Sequence, residues 1–229
     1  ISTTFIFGWA TKDTLFETDT NHDLDLLDFG YSQTKWVSEQ VVMNAMKRGL
    51  QARIFRPALI TPAVNGGGNN FDISIRLLAF MIKHGIGVDT HNQVSFMPAD
   101  TAANNIVAIS NVPDTVGRTF HVTRDHYSSM MDITNCITRL TGKKFDLYKL
   151  KNFVPEVIKR CTKDDLLYPL LDFLVHSVDN ISAMEFKRYD SSNYQQARNN
   201  STWGLQDPSL EDTVHGILRF MHKNEIVHA

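Results

Sequence analysis

Along the first 150 residues the hydrophobic positions switch between a period of two and a period near 3.6, which predicts strands interleaved with helices. Residues 1–7 are a β-rich run with no turn or cap before them and predict a strand. Residues 11–28 are polar and acidic and predict a loop. Residues 30–48 then predict a long helix, with Trp36, Val37, Val41 and Ala45 at helical spacing and Gly49 as its stop. A short strand follows at 51–55, closed by Arg56-Pro57. Residues 65–70, a glycine- and asparagine-rich stretch, predict a flexible loop ahead of an apolar helix at 71–83. Residues 93–97 predict a strand, and Asp100 is placed to cap a helix running to Ser110. The next elements are a strand at 118–123, a helix at 131–140 and a short strand at 144–148. From residue 152 the pattern is mostly helical and ends in an amphipathic helix at 210–223.

Strands alternating with helices imply a parallel sheet flanked by helices, so the fold class is α/β. The alternation stops near residue 150. Residues 1–150 therefore form one unit and residues 151–229 a smaller, mostly helical one. Composition narrows the function classes. Of 229 residues 42% are hydrophobic and 21% charged, with a net charge of −2, so there is no basic field for nucleic acid. The apolar runs are far shorter than a membrane span. Cys136 and Cys161 are too few for a disulfide framework and have no metal-site spacing, which suggests a reducing, cytoplasmic setting.

Tyr31 and Lys35 carry the sharpest chemical signal. On a helix, residues four apart share a face, and no other tyrosine in the chain has a lysine four residues on. Such a pair is usually mere surface, but its context is specific. It follows a segment ending Ser2-Thr3-Thr4-Phe5-Ile6-Phe7-Gly8 and precedes one ending Arg56-Pro57.

With Thr3 five residues before Gly8, then YxxxK, then RP, the chain resembles an extended short-chain dehydrogenase. The stretches GYSQTKWVSEQVV, RGLQARIFRPALITP and GGGNNFD, and later SFMPADTAANNIVAIS and GRTFHVT, are similar to thioester reductase domains. Those domains end some nonribosomal peptide and polyketide synthases and carboxylic acid reductases. The likeness is good to about residue 123 and loose beyond. It implies the C-terminal part of a Rossmann-type doubly wound parallel sheet, with residues 151–229 as a helical region that binds substrate and carrier. It also implies a reductive release: NADPH (NADH not excluded) reduces an acyl thioester, held on the phosphopantetheine of an acyl or peptidyl carrier protein, to an aldehyde. A second reduction would give the alcohol.

The resemblance gives Thr3, Tyr31 and Lys35 the catalytic roles. Thr3 polarises the carbonyl, Tyr31 donates the proton, and Lys35 also bonds the nicotinamide ribose. The backbone of Pro57, Ala58, Leu59 and Ile60 would contact the nicotinamide. The residue types suit the chemistry, because hydride addition builds negative charge on oxygen and needs waiting donors and a proton. A cation about 4 Å from a phenol favours its ionised form by about 4 kcal/mol at an effective dielectric of 20.

Other features carry less. Gly66, Gly67 and Gly68 lack the spacing of a phosphate-binding loop and suggest a mobile loop beside the substrate. His121 and His126 fit structural roles, and Asp100 fits a cap better than an acid. No glycine-rich phosphate fingerprint occurs in the chain, so an upstream N-terminal segment of the same domain is expected to supply it, and this chain alone is expected to bind NADPH weakly or not at all. A modest basic cluster, Lys149, Lys151, Lys159, Arg160 and Lys163, suggests a landing site for an acidic carrier protein. Two further readings stay open: another extended dehydrogenase, such as a fatty acyl-CoA reductase or sugar-nucleotide epimerase, and a non-catalytic carrier-docking module.

Overall fold

The computed structural model describes residues 1–10, 12–21, 27, 29–68, 71–183 and 187–227, and in them strands and helices interleave as the pattern predicts. In chain order they are β1 (Thr14–Leu15), α1 (Gly30–Met46), β2 (Ile54–Pro57), β3 (Leu59–Thr61), α2 (Ile73–His84), β4 (Ile86–Asp89), β5 (Gln93–Val94), β6 (Phe96–Pro98), α3 (Ala99–Ser110) and β7 (Thr119–Val122). There follow β8 (Ser128–Ser129), α4 (Met130–Thr141), β9 (Asp146–Lys149), α5 (Leu150–Arg160), α6 (Leu171–Ala183), β10 (Arg188–Tyr189), α7 (Ser192–Asn200) and α8 (Leu210–Lys223). The pairs β1–β10, β2–β7, β3–β6 and β4–β9 are all parallel, with Ile54 to Pro57 in register with Thr119 to Val122. Only β5–β8 is antiparallel among the described residues. This is the α/β architecture expected of a Rossmann-type sheet.

The elements after residue 150 do not stand apart. Phe153, Val157, Leu174, Val214, Ile217 and Phe220 pack in one buried cluster with Ile75, Leu78, Phe96 and Ile133. In addition, β10 pairs with β1 and α7 packs on β7.

Four local expectations change. The strand expected at residues 1–7 is instead a short extended lead-in and a 3-10 turn at Thr4–Phe7. The Ser2 N–H donates to Phe55 O at 2.7 Å, tying the lead-in to β2. Thr3 Oγ1 then accepts from the Phe5 N–H at 3.2 Å and curls the chain, and Gly8 closes the turn at φ 49°. Arg56 and Pro57 lie inside β2 rather than beyond its end. Asp100 is not the cap of α3, because β6 runs through Pro98 directly into the helix. Asp100 instead sits in the first turn, where its carboxylate accepts from the N–H groups of Thr101 at 3.0 Å and Val64 at 3.3 Å.

The glycine stretch is a packed turn where a mobile loop is expected. The Gly66 N–H donates to Ala63 O at 2.8 Å, and a Cβ on Gly66 would come within 2.7 Å of the Arg219 Cβ on α8. Asn69 and Asn70, which complete the expected loop, lie outside the described residues, as do Thr11, residues 22–26 and Asp28 of the acidic loop.

Candidate functional site

Helix α1 carries Tyr31, Lys35 and Glu39 at successive four-residue steps, one stripe along the helix. The stripe is buried at Glu39 and open at Tyr31, which is 48% exposed. At the buried end, the Arg56 guanidinium on β2 grips the Glu39 carboxylate with Nη2 and with Nε, the latter at 3.0 and 3.2 Å. Neither side chain has measurable access to water beyond 1%. A forked guanidinium on a carboxylate fixes orientation as well as distance, so this pair sets how α1 is rotated against the sheet.

Arg56 does more. Its Nη1 donates to Asp19 O at 2.9 Å and lies 3.4 Å from His121 Nε2 on β7. His121 Nδ1 lies 2.7 Å from Asp190 O, so the neutral tautomer with hydrogen on Nδ1 satisfies both contacts. Burial, with the Arg56 charge beside it, pulls the His121 pKa down to about 4. Its own backbone N–H donates to Glu17, whose carboxyl also accepts from the N–H groups of Asn193 at 2.6 Å and Tyr194 at 3.0 Å in the first turn of α7. Burial pushes the Glu17 pKa up to about 7, against the lowering effect of these three donors. The site's foundation is thus a buried polar network joining α1, β2, β7, the loop after β1 and α7.

At the open end, Lys35 Nζ donates to Ile1 O at 3.3 Å and lies 5.9 Å from the centre of the Tyr31 ring. The lysine therefore pins the lead-in that carries Thr3 two residues later, and one of its three N–H donors is engaged in doing so. Thr3 is buried, its Oγ1 accepting from Phe5 N–H while its own hydrogen is available to a ligand oxygen. Pro57, Ala58, Leu59 and Ile60 run alongside: Thr4 Oγ1 donates to Pro57 O at 3.4 Å, and Ala58 N–H donates to Val122 O at 3.2 Å. Ala58, Leu59 and Ile60 are half-buried. The structure thus sets Lys35 beside Tyr31 and against the lead-in that carries Thr3, and sets the next residue, Thr4, against Pro57.

Several residues escaped the sequence reading. Glu39 continues the Tyr31–Lys35 step and was signalled by that spacing. Arg56, expected to close a strand, and Glu17, buried in a loop, gave no pattern of their own. Among the described residues no cluster of His, Cys, Asp or Glu could hold a metal, and no helix is long and apolar enough to cross a membrane. In the basic cluster, Lys149 pairs with Asp89 at 2.5 Å, and Arg160 and Lys159 pair with Glu156 at 2.8 and 3.8 Å. Much of that charge is met within the chain.

Residues 2–106 match the family described as male sterility protein, an NAD-binding domain. The nonribosomal peptide synthetase asaC of Aspergillus flavus is 34% identical over 151 residues, 64% of this chain and 15% of the relative. The large subunit of L-2-aminoadipate reductase from Candida glabrata is 29% identical over 170 residues, 67% of this chain and 12% of that protein. The chain therefore spans only a small part of these relatives. The terminal R domain of the myxalamid PKS-NRPS biosynthetic pathway superposes with a TM-score of 0.88 at 23% identity, over 100% of this chain and 58% of that one. At that identity the likeness is one of fold. The resemblance drawn from Tyr31–Lys35 and the surrounding stretches is borne out in sequence by a peptide synthetase and an aminoadipate reductase, and in fold by the R domain.

Proposed function

From the match of residues 2–106 to the male sterility NAD-binding family, we propose that the protein is an NADPH-dependent thioester reductase that releases a carrier-bound acyl group as an aldehyde. One observation carries this reading. Lys35, four residues from Tyr31 on α1, bonds to the lead-in that bears Thr3, so one cation links the helix carrying the phenol to the segment carrying the hydroxyl.

Their chemistry matches the reaction. When bound, the nicotinamide cofactor supplies the hydride. Thr3 donates a hydrogen bond to the thioester oxygen as negative charge grows there, and Tyr31 delivers the proton. The Lys35 ammonium stands beside that ring, 5.9 Å from its centre. Hydride and proton together convert the carbonyl to a hemithioacetal. Its C–S bond then breaks, the hydroxyl proton is lost as the aldehyde forms, and the carrier's thiol leaves protonated.

The residues present suit the nicotinamide end of the cofactor: Lys35 has N–H donors beyond the one on Ile1 O for a ribose hydroxyl, with the backbone of 57–60 beside it. Gly66–Gly68 lacks the spacing of a phosphate cradle, and Gly66 is packed so closely on α8 that a Cβ there would meet Arg219 Cβ at 2.7 Å. The preference for NADPH over NADH, a carrier protein as the presenting partner, and a cytosolic location belong to this proposal. The carrier-protein part is supported by the peptide-synthetase relatives.

The test is to give the full-length protein an acyl group loaded on a phosphopantetheinylated carrier, with NADPH or NADH, and trap the product. Aldehyde formed in step with NADPH oxidation is expected. Free acid released without cofactor oxidation would overturn the proposal. Equal efficiency with acyl-CoA would move the assignment to a fatty acyl-CoA reductase.

A further inference from the structure

Tyr31 is one of five aromatic rings that lean on one another outside the buried clusters. Phe5 and Trp9 come from the 3-10 segment and its exit, Phe29 from the residue before α1, and Phe173 from α6. Ring centres lie 5.7 Å apart for Phe5–Trp9, 6.0 Å for Phe5–Phe29, 5.3 Å for Phe29–Phe173, 6.3 Å for Trp9–Phe173 and 6.4 Å for Phe29–Tyr31. These are ordinary aromatic contacts, edge-to-face or tilted except for the stacked Trp9–Phe173 pair.

The chain nearby shows that it can bury apolar groups when it does so for stability. Ile6 and Phe7, next to Phe5, are fully buried, and so is Leu174, next to Phe173. Yet Phe29 remains 38% exposed, and Phe5, Trp9 and Phe173 are only half-buried. Three separate segments thus contribute rings to a wall that keeps an open apolar surface, and that surface is continuous with the Tyr31 phenol. An exposed apolar patch of this kind marks a binding surface.

We infer that the wall of Phe5, Trp9, Phe29 and Phe173 seats the acyl group, so that the substrate class is a thioester with an aromatic or branched aliphatic acyl chain. The inference rests on the reductive reading of Tyr31 and Thr3. A carbonyl seated between the Thr3 hydroxyl and the Tyr31 phenol has Phe5 two residues from one donor and Phe29 two residues from the other, so its acyl chain runs onto the rings. Phe173 is then the specificity residue that α6 contributes to a site otherwise built from the first 60 residues.

The experiment uses the full-length protein with NADPH and the 3-phenylpropionyl, acetyl and glutaryl thioesters of N-acetylcysteamine. The wild type is expected to prefer the phenylpropionyl substrate. Phe173→Ala should lower the phenylpropionyl-to-acetyl ratio of kcat/KM by about 10-fold or more, mostly through KM, and Trp9→Leu should lower it in the same direction. Phe173→Leu, which keeps an apolar group, should restore part of the ratio. Loss of rate on both substrates by one factor would mean that the rings only pack, and would overturn the inference. So would a preference for the glutaryl thioester, which would move the acyl site to the polar hollow lined by Arg124, His126, Arg188 and Asp190. Tyr31→Phe separates the two levels: if it turns over normally the reductive reading fails, whereas if it is inactive and the ratio is unmoved in Phe173→Ala only this inference fails.

Discussion

Helices α1 and α8 are of similar length and are held in place by different physics. Helix α8 is amphipathic in the ordinary way: Val214, Ile217, Phe220 and Met221 are buried on one face. Its start is capped by Ser209, whose Oγ accepts from the Asp212 N–H at 3.0 Å, and its first and last turns carry acidic and basic residues that suit the helix dipole. Gly216 lets it lie against the loop after β3, where a Cβ would meet Ala63 O at 2.5 Å. Helix α1 has no side-chain cap, buries only Ser32 and Glu39, and leaves Val37 and Val41 more than half exposed. Its anchors are polar: Glu39 on Arg56, Trp36 Nε1 donating to Asn21 O at 2.9 Å, and Lys35 on Ile1 O. Burial positions α8 by area, which tolerates small shifts, whereas a forked ion pair positions α1 by direction. A helix that must aim a phenol and an ammonium gains from the second.

The two helices should respond differently when their anchors are removed. Glu39→Ala strands the buried Arg56 charge and should destabilise the protein by about 3 to 5 kcal/mol. It should also depress turnover in the protein that still folds, because Tyr31 and Lys35 lose their rotational reference. Pairing Glu39→Leu with Arg56→Met should recover most of the stability and little of the turnover, as read by urea unfolding and steady-state rates. Recovery of both would show that the pair has no aiming role. Phe220→Ala on α8 should also cost about 3 to 5 kcal/mol through the cavity it leaves, but with the rate of the folded fraction unchanged. A comparable rate loss there would erase the distinction between the helices.

The smallest expected effect concerns pH, in the network beneath α1. Glu17 is raised from 4.5 to about 7 in the folded protein, so its contribution is full below pH 4.5 and fades as pH rises to 7. His121 is depressed from 6.5 to about 4, so its contribution is full above pH 6.5 and fades as pH falls to 4. Between 4.5 and 6.5 the two slopes oppose, with Arg56, Asp19 and Asp190 facing the same pair. His121→Asn should leave a stability that falls as pH rises through this window, and Glu17→Gln one that rises. Unfolding midpoints that keep the wild-type profile in both variants would show that neither group titrates in the folded protein.

How much of this was legible in the sequence follows the same division. Helix α8 and the strands β2, β5, β6, β7 and β9 were, because hydrophobic periodicity reports burial, and α8 and its Leu210–Lys223 limits are set by burial. The 3-10 turn at Thr4–Phe7 was not, since a β-rich composition does not show that Thr3 turns its hydroxyl onto the chain. Strand β4 was missed because four residues around Gly87 give little pattern; the glycine is there so that β9 can approach, a Cβ meeting Leu147 at 2.8 Å. The apolar positions Val37 and Val41 suggested a buried face of α1 that is in fact exposed. Tyr31, Lys35 and Thr3 were legible from spacing and resemblance. Arg56, Glu17 and Phe173 were not, because their partners lie 17 to 177 residues away in the chain or belong to another element, and no local pattern encodes such contacts.

One substitution tests the proposed delivery of a proton by Tyr31 in a nicotinamide-dependent reduction. In the full-length protein Tyr31→Phe keeps the ring and its contact with Phe29 while removing the hydroxyl. Turnover of a carrier-bound acyl thioester should then fall by about 10²-fold or more with the fold and unfolding midpoint intact. Turnover at the wild-type rate would contradict the assignment.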